Sequence, residues 1–384
     1  MELSDNTSKG KVIASGIIPF AFVIIMMAYI FGPGADLLDL GIPLPEITIE
    51  KVDFVDSEIQ ATVRNTGPIP VEVVMADVND RIHPAAVEPD GFLERYETAL
   101  VRIPFDWNEA EPYIIGITVD DGTRFEKEIE AAAPALQPTL DLAVFFAIIG
   151  TYVGIIPVMI GLLWLPFIKK ISKSKYHFFL ALTAGLLLFL ALDSIEEAIE
   201  VSDESLAGSF NGALLVATVV VLSFLGLYYS GEKLVQRASS SKFAKPVAIA
   251  LMISIGIGLH NFGEGLAIGA AGTFLIVGFA LHNTTEGIAI AAPMSRGKLM
   301  IGKLAAMGMI AGSPAIFGAW IGGFVYSPFT SVIFLGIGAG AIFQVIVILM
   351  KWLREEGDKN LSSASVASGF AVGMLVMYLT SIFV

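Results

Sequence analysis

Residues 259–293 read LHNFGEGLAIGAAGTFLIVGFALHNTTEGIAIAAP, and one phrase occurs there twice. The first copy is His260-Asn261-Phe262-Gly263-Glu264-Gly265 and the second is His282-Asn283-Thr284-Thr285-Glu286-Gly287. Each copy sits inside a long apolar run. Ionisable groups at lipid depth are costly to hold, and those that persist there usually serve a function. Within each copy histidine and glutamate are four residues apart, which on a helix stacks them on one face about 6 Å apart along the axis. The connector between the two runs is very short, so they read as antiparallel neighbours. His260 and Glu286 are centred on residue 273, and so are Glu264 and His282. The register therefore predicts two facing His–Glu layers near the middle of a membrane.

The surrounding composition fits that depth. The chain has 384 residues, of which 55% are hydrophobic and 16% charged, and its mean hydropathy is +0.75. Several runs exceed the roughly 18–20 apolar residues needed to cross a hydrocarbon core. The expected fold is an all-α polytopic membrane protein carrying a separate β-sandwich domain. Cysteine is absent, which excludes disulfides and thiolate metal sites. The formal net charge of −14 is unevenly placed: residues 35–135 hold 22 acidic and 7 basic side chains, and the remainder is close to neutral. Concentrated acidity of this kind marks a distinct solvated domain.

Taken in order, the chain divides into 1–34, 35–135 and 136–384. Residues 12–32 form an apolar run preceded by Lys9 and Lys11; they read as a retained transmembrane anchor, with a signal peptide as the alternative. Six short runs rich in Val, Ile, Phe and Thr follow between residues 40 and 131. They are separated by Asn65-Thr66-Gly67-Pro68, Pro89-Asp90-Gly91 and Asp120-Asp121-Gly122, a pattern that predicts six or seven strands of an immunoglobulin-like sandwich. His83 there reads as an ordinary surface residue. From residue 139 eight helices are expected, at about 139–168, 176–199, 208–230, 245–270, 273–294, 300–325, 328–353 and 362–383. Loops 169–175, 231–245, 295–303 and the one after Met350 carry lysine or arginine, whereas 200–207, 271–273 and 326–329 carry none. By the positive-inside rule the basic loops face the cytoplasm. The N-terminus then lies inside, and the β domain and C-terminus outside, in the plasma membrane of a prokaryote.

The repeated pair suits a divalent cation. Two carboxylates offset a 2+ charge, and imidazole favours Zn, Fe, Co, Ni or Mn over Mg or Ca. Candidate metal residues are His260, Asn261, Glu264, His282, Asn283 and Glu286, with the asparagines one residue beyond each histidine. Gly263, Gly265 and Gly287 favour close helix approach. Asp193, Glu196, Glu197 and Glu200 form an acidic stripe on the second helix, read as a cation entrance, and Gln344 is a further pathway candidate in the seventh. His177 reads as an interfacial residue.

These residues resemble the HNxPEG-type signatures of the ZIP family of zinc/iron-regulated transporters, most closely in LHNTTEGIAIAAP, and the resemblance covers about 139–384. It implies a transporter, not an enzyme, moving divalent transition metals towards the cytosol by alternating access. Zinc stands first, with iron, manganese, cobalt and cadmium after it, as cargo and not as cofactor. It also implies a homodimer in the lipid bilayer, and no nucleic-acid partner. Three departures stand out: Thr285 where proline is usual, Ala311-Gly312-Ser313-Pro314-Ala315 where a carboxylate is common, and no histidine-rich loop between the third and fourth helices. The missing carboxylate points to a single metal, and a second would rest on Asn261 and Asn283. The rival readings are an intramembrane metal-dependent hydrolase and a metal-sensing receptor.

Overall fold

Strand alternation begins at β1 (Ile47–Val55) and is most regular in β2 (Glu58–Asn65), where every second side chain is buried. β3 (Val71–Val78) turns through Asn79 and Asp80, both at positive φ, into the short β4 (Arg81–His83), as a two-residue hairpin of the I′ kind requires. Then follow β5 (Ala86–Glu88), β6 (Phe92–Leu93), β7 (Thr98–Pro104), β8 (Tyr113–Val119) and β9 (Arg124–Ile129). One antiparallel sheet has the order β1-β2-β7-β5; the other runs β4-β3-β8-β9, with β6 also paired to β3. The first order is the ABED arrangement of an immunoglobulin-type sheet and β3-β8-β9 is its CFG partner. Ile59, Ala61, Val63, Val101 and Ile103 of one sheet share a fully buried core with Ile115, Ile117 and Val119 of the other. All six strands expected from the sequence are present; β4, β5 and β6 are additional.

At the edge of this core a buried carboxylate, Asp77, is paired with the exposed Arg124. Asp77, 6% exposed in its side chain, accepts two hydrogen bonds from Arg124, at 2.9 Å from Nε and 2.7 Å from Nη2. Gly116 on β8 makes the room, since a Cβ there would lie 2.1 Å from Asp77 Oδ2. Those hydrogen bonds push the Arg124 guanidinium above the ordinary arginine value. A raised pKa contributes stability at every pH below the unfolded value, so this pair persists through the alkaline range. Arg124→Ala is expected to destabilise the sandwich by about 2 kcal/mol, because it leaves the Asp77 carboxylate without its two hydrogen-bond donors. Limited proteolysis of the full chain under rising urea checks this: cleavage within 44–136 is expected at lower urea than in the parent protein.

This computed structural model describes residues 17–18, 21–27, 29, 44–136, 138–206, 211–238, 244–271, 276–295, 300–355 and 363–381. The expected anchor at 12–32 lies partly outside them; its described residues 17–18 and 21–27 are helical, and Ile17, Ile18, Ile24 and Ile25 are exposed. The short connector expected around residue 273 also lies outside the described residues.

The helical part opens with a broken span: α1 (Leu140–Gly150), a π-helical turn (Thr151–Ile155), α2 (Ile156–Leu162) and α3 (Leu165–Ile168). Then come α4 (Lys173–Ser205), α5 (Gly212–Ala238), α6 (Ala244–Ala271) and α7 (Ile276–Met294). A second broken span, α8 (Ile301–Gly312) and α9 (Pro314–Phe324), is interrupted at Ser313 by Pro314, and α10 (Pro328–Glu355) and α11 (Ala364–Ser381) complete the chain. Among the described residues six helices are long and apolar enough to cross a membrane, against the eight expected. The two others are α7, where His282, Asn283, Thr284, Thr285 and Glu286 interrupt the apolar run, and α11, whose apolar stretch Ala364–Leu379 is shorter. α4, α5, α10 and α11 pack as one group; α1, α2, α6, α7, α8 and α9 pack as another, and α6 against α10 joins them.

Candidate metal centre

α6 is buried along most of its length, which is why it can carry His260, Asn261 and Glu264 away from lipid; their exposures are 4%, 0% and 5%. α7 brings His282, Asn283 and Glu286 to the same interior, at 4%, 0% and 0%. Glu264 is the meeting point. Its Oε1 is hydrogen-bonded to His282 Nε2 and lies 3.2 Å from His260 Nε2. Candidate ligand atoms of His260, Glu264 and His282 all lie within 4.8 Å of one another. Two imidazole nitrogens and one carboxylate oxygen converging this closely form three sides of a coordination shell for a borderline divalent ion. Phe279 packs edge-on to the His282 ring at 5.6 Å and limits its rotation.

The expected layers form unequally. Glu264 faces His282 as the register predicts, but His260 turns along its own helix to Glu264, and Glu286 stands outside the three-residue group. The four-residue spacing on α6 explains the turn, since it places both side chains on one face. Glu286 is fully buried beside Asn261 and within electrostatic reach of Glu264, and among the described residues neither of its oxygens makes a hydrogen bond of normal geometry. Two carboxylates buried near one another are costly unless a cation or a proton offsets them.

The asparagines are tied to the two broken spans. Asn261 Nδ2 donates to the Ala311 carbonyl at 3.1 Å, beside the break before Pro314. Asn283 Nδ2 donates to the Val153 carbonyl inside the π turn, also at 3.1 Å, and to Glu264 Oε2 at 3.1 Å. The side-chain oxygens of both asparagines are buried without a hydrogen-bond partner among the described residues. Sequence reading missed Val153 and Ala311, because their contribution is a backbone carbonyl. For Val153 the available signal was Pro157 within an apolar run, since proline leaves the carbonyl four residues back without its helical donor; Ala311 lies three residues before Pro314, so the same rule does not point to it.

A cavity of about 20 Å³ adjoins His260 and Glu264, room for one water-sized occupant. Asp193, Ser194 and Glu197 line it together with His260 and Glu264. A second cavity, about 140 Å³, shares Glu197, Gly263 and Leu335 with the first and extends past Val201 and Ala270 to Tyr326 and Ser331. Carboxylates therefore mark a route from the C-terminal ends of α4 and α6 to His260 and Glu264. Glu196 and Glu200 are exposed and line neither cavity. Gln344 is buried elsewhere, between Gly231 and Gly256, with its amide near the position of a Cβ on either glycine. His177 is 4% exposed near the start of α4 and does not line these cavities. Compared with known proteins, the chain matches no protein-family model, and a search of curated proteins finds no match.

Proposed function

We propose that this protein is a multi-pass membrane transporter for divalent transition-metal ions, zinc first among them, of the ZIP type that its repeated His-Asn…Glu-Gly phrases resemble. The observation that carries the proposal is the group His260, Glu264 and His282, buried within apolar helices and reached by a carboxylate-lined cavity. A structural His–Glu bridge needs no such route, whereas cargo does. In this reading the ends of α4 and α6 at Val201 and Ala270 face outside, the sandwich of β1–β9 lies on that side, and the ion moves towards the cytosol through an eight-helix core.

The steps follow from the residues. Asp193 and Glu197 draw a hydrated cation inward by charge. At the narrow cavity the ion exchanges water for His260 Nε2, Glu264 Oε1 and His282 Nε2. Three protein ligands without thiolate leave a coordination position open and keep the ion exchangeable. The two broken spans supply bends at which one helix group can shift against the other. Zinc uptake into proteoliposomes, measured together with zinc content of the purified protein, tests the reading. Expected are saturable uptake and one zinc per chain; no uptake together with no retained zinc would sink the assignment.

A further inference from the structure

An asparagine amide has two N–H donors, and Asn283 uses both, on Glu264 Oε2 and on the Val153 carbonyl. Val153 can accept because residue 157, four further on, is proline and has no N–H to offer. The chain opens into the π turn Thr151–Ile155 at the same place. The amide has one workable orientation, since reversing it would set its oxygen against two other oxygens. On the far side of the carboxylate, Oε1 faces both imidazoles. One oxygen of Glu264 is thus held while the other is presented.

We infer that Asn283 is the positioning residue of the metal centre, tying the Glu264 carboxylate to the proline-freed carbonyl of the first span so that Oε1 meets the cation together with His260 and His282. The inference rests on the metal-binding reading above and adds a partner that the ligand set alone does not require. Asn261, the same residue of the other copy, gives its amide nitrogen to Ala311 instead. The two His-Asn phrases therefore do different work: one asparagine orients a ligand, and the other anchors a helix break. Groups that orient a metal ligand typically change affinity by about 10- to 100-fold when removed.

The test uses the full chain in detergent, with N283L, which keeps the shape and loses both donors, and N283A as a second variant in case the first does not fold. The infrared difference between parent protein and E264Q isolates the Glu264 carboxyl stretch without any metal. That band is expected to shift in N283L and N283A and to stay in place in N261L. Calorimetric zinc titration of the same samples is expected to show affinity about 10- to 100-fold weaker for the Asn283 variants. An unmoved band overturns the positioning role, and so does zinc affinity unchanged within about twofold in a parent protein that binds. If the band shifts and the parent protein binds no zinc, the positioning stands and the transport reading falls instead.

Discussion

Glu264→Ala is expected to reduce zinc uptake into proteoliposomes by at least about 100-fold, equivalent to about 2.7 kcal/mol. Three facts set the size. Glu264 is the one carboxylate of the group, so without it two imidazoles face a 2+ ion with no anionic partner at 4% exposure. Its Oε1 is the atom both imidazoles approach, so its loss also releases them from one another. Its Oε2 satisfies Asn283, whose donor is then left unpaired in the interior. Glu264→Gln separates these contributions, because it restores bulk and a hydrogen-bonding oxygen without charge. It is expected to recover folding and monodispersity and to leave uptake low. Ser230→Ala, on the exposed face of α5 where the hydroxyl donates to the Gly226 carbonyl of its own helix, serves as the neutral comparison. Initial rates of radioactive zinc uptake check the series, and a Glu264→Ala rate within twofold of the parent protein would contradict the metal role.

How much of this could be read beforehand differs between features. The site was legible because its chemistry is carried by side chains in a repeated phrase, and repetition survives without knowledge of packing. Helical register then placed Glu264 against His282 correctly. It did not foresee His260 turning to Glu264, because register fixes where a residue stands and not which rotamer it takes once a partner lies four residues along. Six strands were legible through alternation and bounding turns; β5 and β6, with three and two residues, are too short for a period of two to appear. The tie from Asn283 to Val153 spans 130 positions of sequence and ends on a carbonyl, which no residue type announces. Pro157 hinted at a free acceptor, but only the packing of α2 against α7 shows which donor fills it. Among the acidic stripe, spacing put four carboxylates on one face, whereas the cavities select Asp193 and Glu197.

That same α2–α7 crossing carries the second large effect, and it falls on stability. Gly161 and Gly287 meet backbone to backbone: a Cβ on Gly161 would lie 2.0 Å from the Thr284 carbonyl oxygen, and one on Gly287 would lie 2.2 Å from that of Val158. No rotamer relieves such contacts, because the obstructing atoms are main chain, so the helices must separate. Small residues permit this approach in membrane helices, where dispersion contacts and not water exclusion hold neighbours together. Gly287→Ala is expected to cost about 3 kcal/mol, the upper end for overpacking, because nothing flexible can yield. Separation also lengthens the Asn283–Val153 bond, whose donor lies four residues before Gly287 and whose acceptor lies eight before Gly161, so zinc affinity is expected to fall with stability. Gly161→Ala is expected to behave alike. The double variant should cost less than the two singles added, since one shift of α2 accommodates both methyl groups. Gly226→Ala is the contrasting case, for nothing lies within 4 Å of its Cβ position on exposed α5. Thermal unfolding followed by size-exclusion recovery of the purified chain checks all four variants. If Gly287→Ala is recovered at the same temperatures as Gly226→Ala, the crossing does not have the closeness that ties the first span to the candidate metal centre.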